Sequence, residues 1–147
     1  MTAVELGVTI MRPAEDVFAV LSEVENVPRW SRSAVEEKLI TQGPLREGSR
    51  RRAVVRTFGG RTMTNEAEML GFVQDRRMVI RTVGGGLTVD TVIDFLPAFG
   101  GTRLNWSVAF RLPLLLRWAG PMLGWWYRSS FQKDLDQLKE MMESGEL

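Results

Sequence analysis

The stretch TIMRPAEDVFAVLSEVENVPRW, Thr9 to Trp30, holds two prolines and places a tryptophan two residues behind the second. It completes an alternating run in which Val4, Leu6, Val8 and Ile10 point one way and Glu5, Gly7 and Thr9 the other, the pattern of a half-buried strand. Pro13 suits the first position of a helix, where its missing N–H has no partner to lose. Glu15 and Asp16 follow in the first turn, where the helix dipole favours negative charge. Val17, Val20, Leu21 and Val24 then recur at spacings of three, four and seven, giving one apolar stripe. Asn26 can cap a second short helix with Pro28 in its first turn and Trp30 near its end. A chain that makes one strand and then breaks its helix this early is turning across the end of a sheet, and Trp30 is placed to plug or line that end.

Outward from this stretch the period changes to two. Strands are expected at Ala34–Gln42, Ser49–Phe58, Arg61–Phe72, Met78–Val83, Leu87–Leu96 and Thr102–Leu112. The connections GPLREG, GG at 59–60, QDRR, GGG at 84–86 and PAFGG are short enough to join antiparallel neighbours. Leu87, Val89, Thr91, Ile93 and Phe95 share one face, as do Leu104, Trp106, Val108 and Phe110. The last third is helical. Pro113 opens it, and Pro121 is expected to kink or divide it, because a mid-helix proline removes a hydrogen bond and clashes one turn back. Gly124, Tyr127, Phe131, Leu135, Leu138 and Met142 form its apolar stripe, with Lys133, Asp134, Asp136, Lys139, Glu140 and Glu143 on the polar face. The order predicts an α+β domain spanning residues 1–147: a curved antiparallel sheet of about seven strands around a long C-terminal helix, with two short helices between strands 1 and 2.

Composition narrows the chemistry. The chain has no cysteine and no histidine, so disulfides, thiolate nucleophiles, imidazole bases and zinc-thiolate sites are excluded, and no metal or cofactor is implied. A net charge of +1 gives no global field toward nucleic acid or anionic lipid. The run RLPLLLRWAGPMLGWW, Arg111 to Trp126, falls short of the ~20 residues a membrane-spanning helix needs, and it contains Arg117, two prolines and two glycines. No basic segment followed by an apolar core opens the chain, so a cytoplasmic location is expected.

Three segments together resemble the SRPBCC superfamily, whose members share the helix-grip, START-like fold. Pro13-Ala14, Asp16-Val17-Phe18 and Asn26-Val27-Pro28-Arg29-Trp30 are similar to its opening. GGTRLNW at 100–106 is similar to its penultimate turn and last strand, and FQKDLDQLKEMME at 131–143 to its closing helix. The resemblance implies a cavity between sheet and long helix that in relatives holds lipids, polyketides or other apolar molecules. It therefore implies binding or transport of a small hydrophobic ligand. The alternatives are a polyketide cyclase/aromatase-like enzyme and a partner-binding regulatory protein; fold alone does not choose among them.

The residues expected to line such a cavity are Trp30, Trp106, Phe110, Trp118, Met122, Trp125, Tyr127 and Phe131, each of which ordinary core packing would also explain. A kink at Gly120-Pro121 would form the cavity mouth. No catalytic residue stands out. Nine arginines between Arg46 and Arg81 face four acidic residues, Glu47, Glu66, Glu68 and Asp75. They are expected on a solvated outer sheet face with cross-strand ion pairs to Glu66 and Glu68, and Asp90 and Asp94 are read alike. With only Phe58 and Phe72 as stacking aromatics in that stretch, nucleic acid is not an expected partner. A homodimer is compatible with the sequence and not specified by it.

Overall fold

A computed structural model describes residues 2–57 and 59–147, with the backbone alone at Thr2. Its elements run β1 (Thr2–Ile10), α1 (Ala14–Ser22), a 3₁₀ turn (Val24–Asn26), α2 (Val27–Trp30), β2 (Ala34–Leu39), β3 (Arg50–Arg56), β4 (Thr62–Val73), β5 (Arg77–Gly84), β6 (Leu87–Ala98), β7 (Gly101–Arg111), a second 3₁₀ stretch (Leu114–Ala119) and α3 (Gly120–Glu143). All strand pairs are antiparallel in a seven-stranded sheet of order β1-β7-β6-β5-β4-β3-β2. The consecutive strands β2 to β7 are spatial neighbours, and β1 closes onto β7 because α1 and α2 span the open side.

Local chemistry accounts for the breaks. Gly85 and Gly86 both take positive φ, 59° and 78°, which a two-residue hairpin between right-twisted strands requires. Gly101 opens β7 against the backbone of β1's end: a Cβ there would collide with the Ile10 carbonyl and lie 2.9 Å from the Met11 Cα. This close approach is the physical content of the GGTRLNW motif. Pro13 precedes α1 in extended conformation rather than sitting inside it, and Asn26 lies within the 3₁₀ turn with no capping hydrogen bond from its side chain.

Two expectations for the C-terminal helix are corrected. Pro121 does not kink or divide it; it occupies the first turn of α3, where a proline costs no hydrogen bond, and the helix then runs unbroken to Glu143. Asp134 is not on the polar face. It is buried, accepting hydrogen bonds from the Ser31 hydroxyl (3.0 Å) and the Arg32 amide (3.3 Å), and so ties the α2–β2 corner to α3. Phe58, expected at the end of a strand, lies outside the described residues.

α3 also covers the sheet edge. Gln132 Nε2 donates to the Gly7 carbonyl (3.0 Å) and Lys139 Nζ to the Thr9 carbonyl (2.8 Å), satisfying alternate acceptors of β1 that no strand pairs. The tightest packing lies beneath α1. Ile10, Val17, Phe18, Leu104, Leu135, Leu138 and Met142 are essentially inaccessible there, and Phe18 meets Phe72 and Phe95 at centroid distances of 5.1 and 5.0 Å.

Candidate functional site

At the other end, between the concave sheet face and α3, a cavity of about 230 Å³ remains. That is just below the ~300–1,000 Å³ usual for drug-sized ligands, so it suits a small occupant. Its wall is aromatic on one side. Trp30 sits edge-on to Trp106 (6.5 Å) and Phe131 (6.1 Å), Phe131 stacks on Tyr127 (5.1 Å), and Tyr127 meets Phe110 edge-on (5.2 Å). The rest of the lining mixes aliphatic side chains, among them Leu21, Met69, Met78, Ile80 and Ile93, with polar ones such as Ser49, Asn65, Thr82 and Thr91. Trp30 is only 3% exposed and is part of the cavity lining.

Five of the eight expected lining residues are brought together: Trp30, Trp106, Phe110, Tyr127 and Phe131. Trp118, Met122 and Trp125 are not. They are 74%, 68% and 71% exposed and lie outside the lining. The expectation for them fails because Pro121 starts α3 instead of bending it. With no kink to fold this segment inward, only the face carrying Leu123, Tyr127 and Phe131 reaches the core. The Gly120-Pro121 mouth falls with the kink.

The wall also carries polar groups that lack partners. Among the described residues, the indole Nε1 atoms of Trp30 and Trp106 and Oε2 of Glu37 are buried without a hydrogen bond. The Trp106 N–H approaches the Tyr127 hydroxyl but falls short of hydrogen-bond geometry. Buried polar atoms are nearly always paired, so three orphans around one hollow are exceptional. Glu37 is 6% exposed, and its Oε1 meets Arg51 Nη1 at 3.2 Å. Burial pushes its carboxyl above the ordinary range, and the Arg51 guanidinium opposes that shift. Burial likewise raises the Tyr127 phenol far above its ordinary value and raises Asp134 despite its hydrogen bonds from Arg32 and Ser31. Among the described residues, no group of three or more acidic side chains is placed to hold a metal ion.

Glu37 and Arg51 are the site residues that sequence reasoning missed. A bulge in β2 displaces the alternation. Ala34 pairs with Val55 but Glu36 with Val54, so Val35 is extra and Glu37, not Glu36, shares the inward face with Ala34. Glu37 then stands opposite Ala53, with Arg51 at the diagonal position. The adjacent pair Glu36-Glu37 was the available signal, since one of two consecutive strand residues must face inward. Of the remaining arginines of the basic stretch, Arg50, Arg52, Arg77 and Arg81 form cross-strand ion pairs, while Arg46, Arg56, Arg61 and Arg76 form none among the described residues. Arg50 and Arg52 bridge to Glu66 (3.5 and 3.1 Å), Arg81 and Arg111 to Asp90 (both 2.8 Å), and Arg77 to Asp94 (3.6 Å). Glu68 forms no ion pair among the described residues, although Arg50 and Arg81 flank it in register.

Comparison with known proteins places this geometry. The chain is similar in structure to a protein from Deinococcus radiodurans, at 23% identity and a TM-score of 0.72 over 99% of both chains. It is similar to one from Thermus thermophilus, at 17% identity and 0.78, over 97% of this chain and 98% of that one. A START superfamily protein from Mycobacterium smegmatis matches at 16% identity and 0.74, covering 98% and 96%. No curated protein sequence matches. A family model described as polyketide cyclase / dehydrase and lipid transport matches residues 1–143.

Proposed function

Since the chain belongs to the polyketide cyclase/dehydrase and lipid transport family and has its START-like fold, we propose that it binds a small, neutral, oxygenated hydrophobic molecule in the cavity. The observation that carries this reading is a cavity walled largely by aromatic and aliphatic side chains, three of whose lining residues, Trp30, Trp106 and Glu37, also hold buried polar atoms without partners. Apolar burial supplies the affinity, on the order of 25 cal/mol per Å² before the costs of immobilisation. The two indole N–H groups require an acceptor and Glu37 a hydrogen-bond partner, so a hydroxyl or carbonyl oxygen in the ligand relieves what the protein's own groups leave unmet. A carboxylate ligand would meet the Glu37 carboxyl and compete with it for Arg51, and so be disfavoured.

Calorimetric titration of the purified chain with 1-octanol and with octanoate tests this. The alcohol is expected to bind and octanoate to bind at least about tenfold more weakly, a difference of ~1.4 kcal/mol. Equal binding of the two would remove the role given to Glu37, and binding of neither would remove the cavity reading. Mass spectrometry of solvent extracts from freshly purified protein then identifies the natural occupant. One observation favours a second reading, catalysis of the cyclase type: Glu37 is a buried carboxyl with raised proton affinity facing a ligand-sized space, a disposition that suits general acid–base chemistry. Turnover of a bound ligand that is lost in Glu37→Gln while binding persists would establish it.

A further inference from the structure

We infer that the segment from Leu114 to Trp125 is a docking surface for an anionic lipid bilayer. Leu114, Leu115, Leu116, Trp118, Met122 and Trp125 are all exposed, Leu115 to 86%. Within α3, Met122 and Trp125 are three residues apart on one outward face, and Trp118 lies one turn before Met122. The two tryptophans alone leave roughly 300 Å² of ring surface in water, and with the leucines the patch exceeds what a monomeric protein ordinarily exposes.

Charge identifies the occupant. From Phe95 to Lys133 the chain contains no aspartate or glutamate, while Arg103, Arg111, Arg117, Arg128 and Lys133 carry positive charge. Arg111 is neutralised by Asp90, but Arg117, Arg128 and Lys133 form no ion pair among the described residues. A second copy packed on this face about a two-fold axis would bring like charges together with no carboxylate in the segment to offset them. An anionic membrane surface supplies the missing charge. Leucine and methionine enter the acyl boundary, tryptophan rings sit at headgroup depth, and arginines reach the phosphates. Among the described residues no helix is long and apolar enough to cross a membrane, so the segment lies on a bilayer rather than through it. The inward face of the same helix contributes Tyr127 and Phe131 to the cavity, which puts the docking surface on the wall of the binding site. The surface itself stands on exposure and charge, whether or not the cavity holds a ligand.

Co-flotation of the full chain with vesicles of phosphatidylcholine, with and without phosphatidylglycerol, is the test. Flotation with the anionic vesicles, a blue shift of tryptophan emission and weakening by added salt are expected. Replacing Leu115, Trp118 and Trp125 together by serine is expected to abolish flotation with the circular dichroism spectrum unchanged, since all three side chains are exposed. As an independent variant that leaves the apolar groups in place, Arg117→Gln is expected to weaken binding about fivefold. Flotation that is absent, or unchanged in the triple variant, overturns the inference. So does sedimentation showing that the wild type self-associates and the triple variant does not, which would assign the patch to contacts between copies of this chain.

Discussion

The two ends of the space beneath the sheet are built differently from similar materials. Under α1, Phe18 is held between Phe72 and Phe95, and none of the unpartnered buried atoms among the described residues lies there. Beneath α2, a larger aromatic complement of Trp30, Trp106, Phe110, Tyr127 and Phe131 leaves a hollow and three unpartnered polar atoms. The first end is a core optimised for burial. The second gives up packing and hydrogen bonding, each worth ~1 kcal/mol or more per group, which is the signature of a site waiting for something other than itself.

Substitutions sharpen that contrast. Phe18→Ala is expected to cost ~3–5 kcal/mol in urea denaturation, because its dense surroundings cannot collapse into the space. Next comes Asp134→Ala, which strands the Ser31 hydroxyl and frees the α2–β2 corner; a loss of ~1–3 kcal/mol is expected, together with weaker octanol binding. Phe131→Ala is expected to cost only roughly 1–2 kcal/mol, since the side chain is half-buried and already borders a void. A cost equal to that of Phe18→Ala would erase the distinction between the ends.

The smallest effect is on pH dependence. The Glu37 carboxyl is raised in the folded chain, so between its ordinary pKa, about 4.3, and its raised value the folded form holds a proton that the unfolded form has released. Stability therefore falls as pH climbs through that window. Asp134 is also raised and contributes a slope of the same sign, so the informative quantity is the difference between wild type and Glu37→Gln. Denaturation midpoints measured across the acid range are expected to show a shallower decline in the variant. Identical curves would mean that Glu37 ionises as it does in the unfolded chain.

Much of the filled end was legible in the sequence. Alternation in β1, β6 and β7 and the stripe from Leu135 to Met142 depend on local period alone, and the proline and glycine breaks fix where each run stops. The hollow end was legible only in part. Trp30 followed from the position of the second proline, but Glu37 owes its inward orientation to an irregular pairing with β3, and no local pattern states where a bulge falls. Trp118, Met122 and Trp125 read as buried because their composition is that of a core. Their exposure depends on where α3 begins relative to the sheet, which is a tertiary fact. Asp134 shows the converse: its partners, Ser31 and Arg32, are about a hundred residues away in the chain.

The supernumerary Val35 has a consequence for how this scaffold changes over generations. β2 is the outermost strand, bonded on one side only, so its phase can shift by a residue without disturbing the six strands beyond it. Loss of that one residue would leave Ala34, Glu36 and Glu37 opposite Val55, Val54 and Ala53 in plain alternation with Glu37 still turned inward, whereas pairing Val35 into the ladder would turn Glu37 out to water and leave the hollow without its acid. That acid can therefore be lost by a slip of one position yet survive a deletion of three nucleotides, at a rim where the architecture scarcely notices.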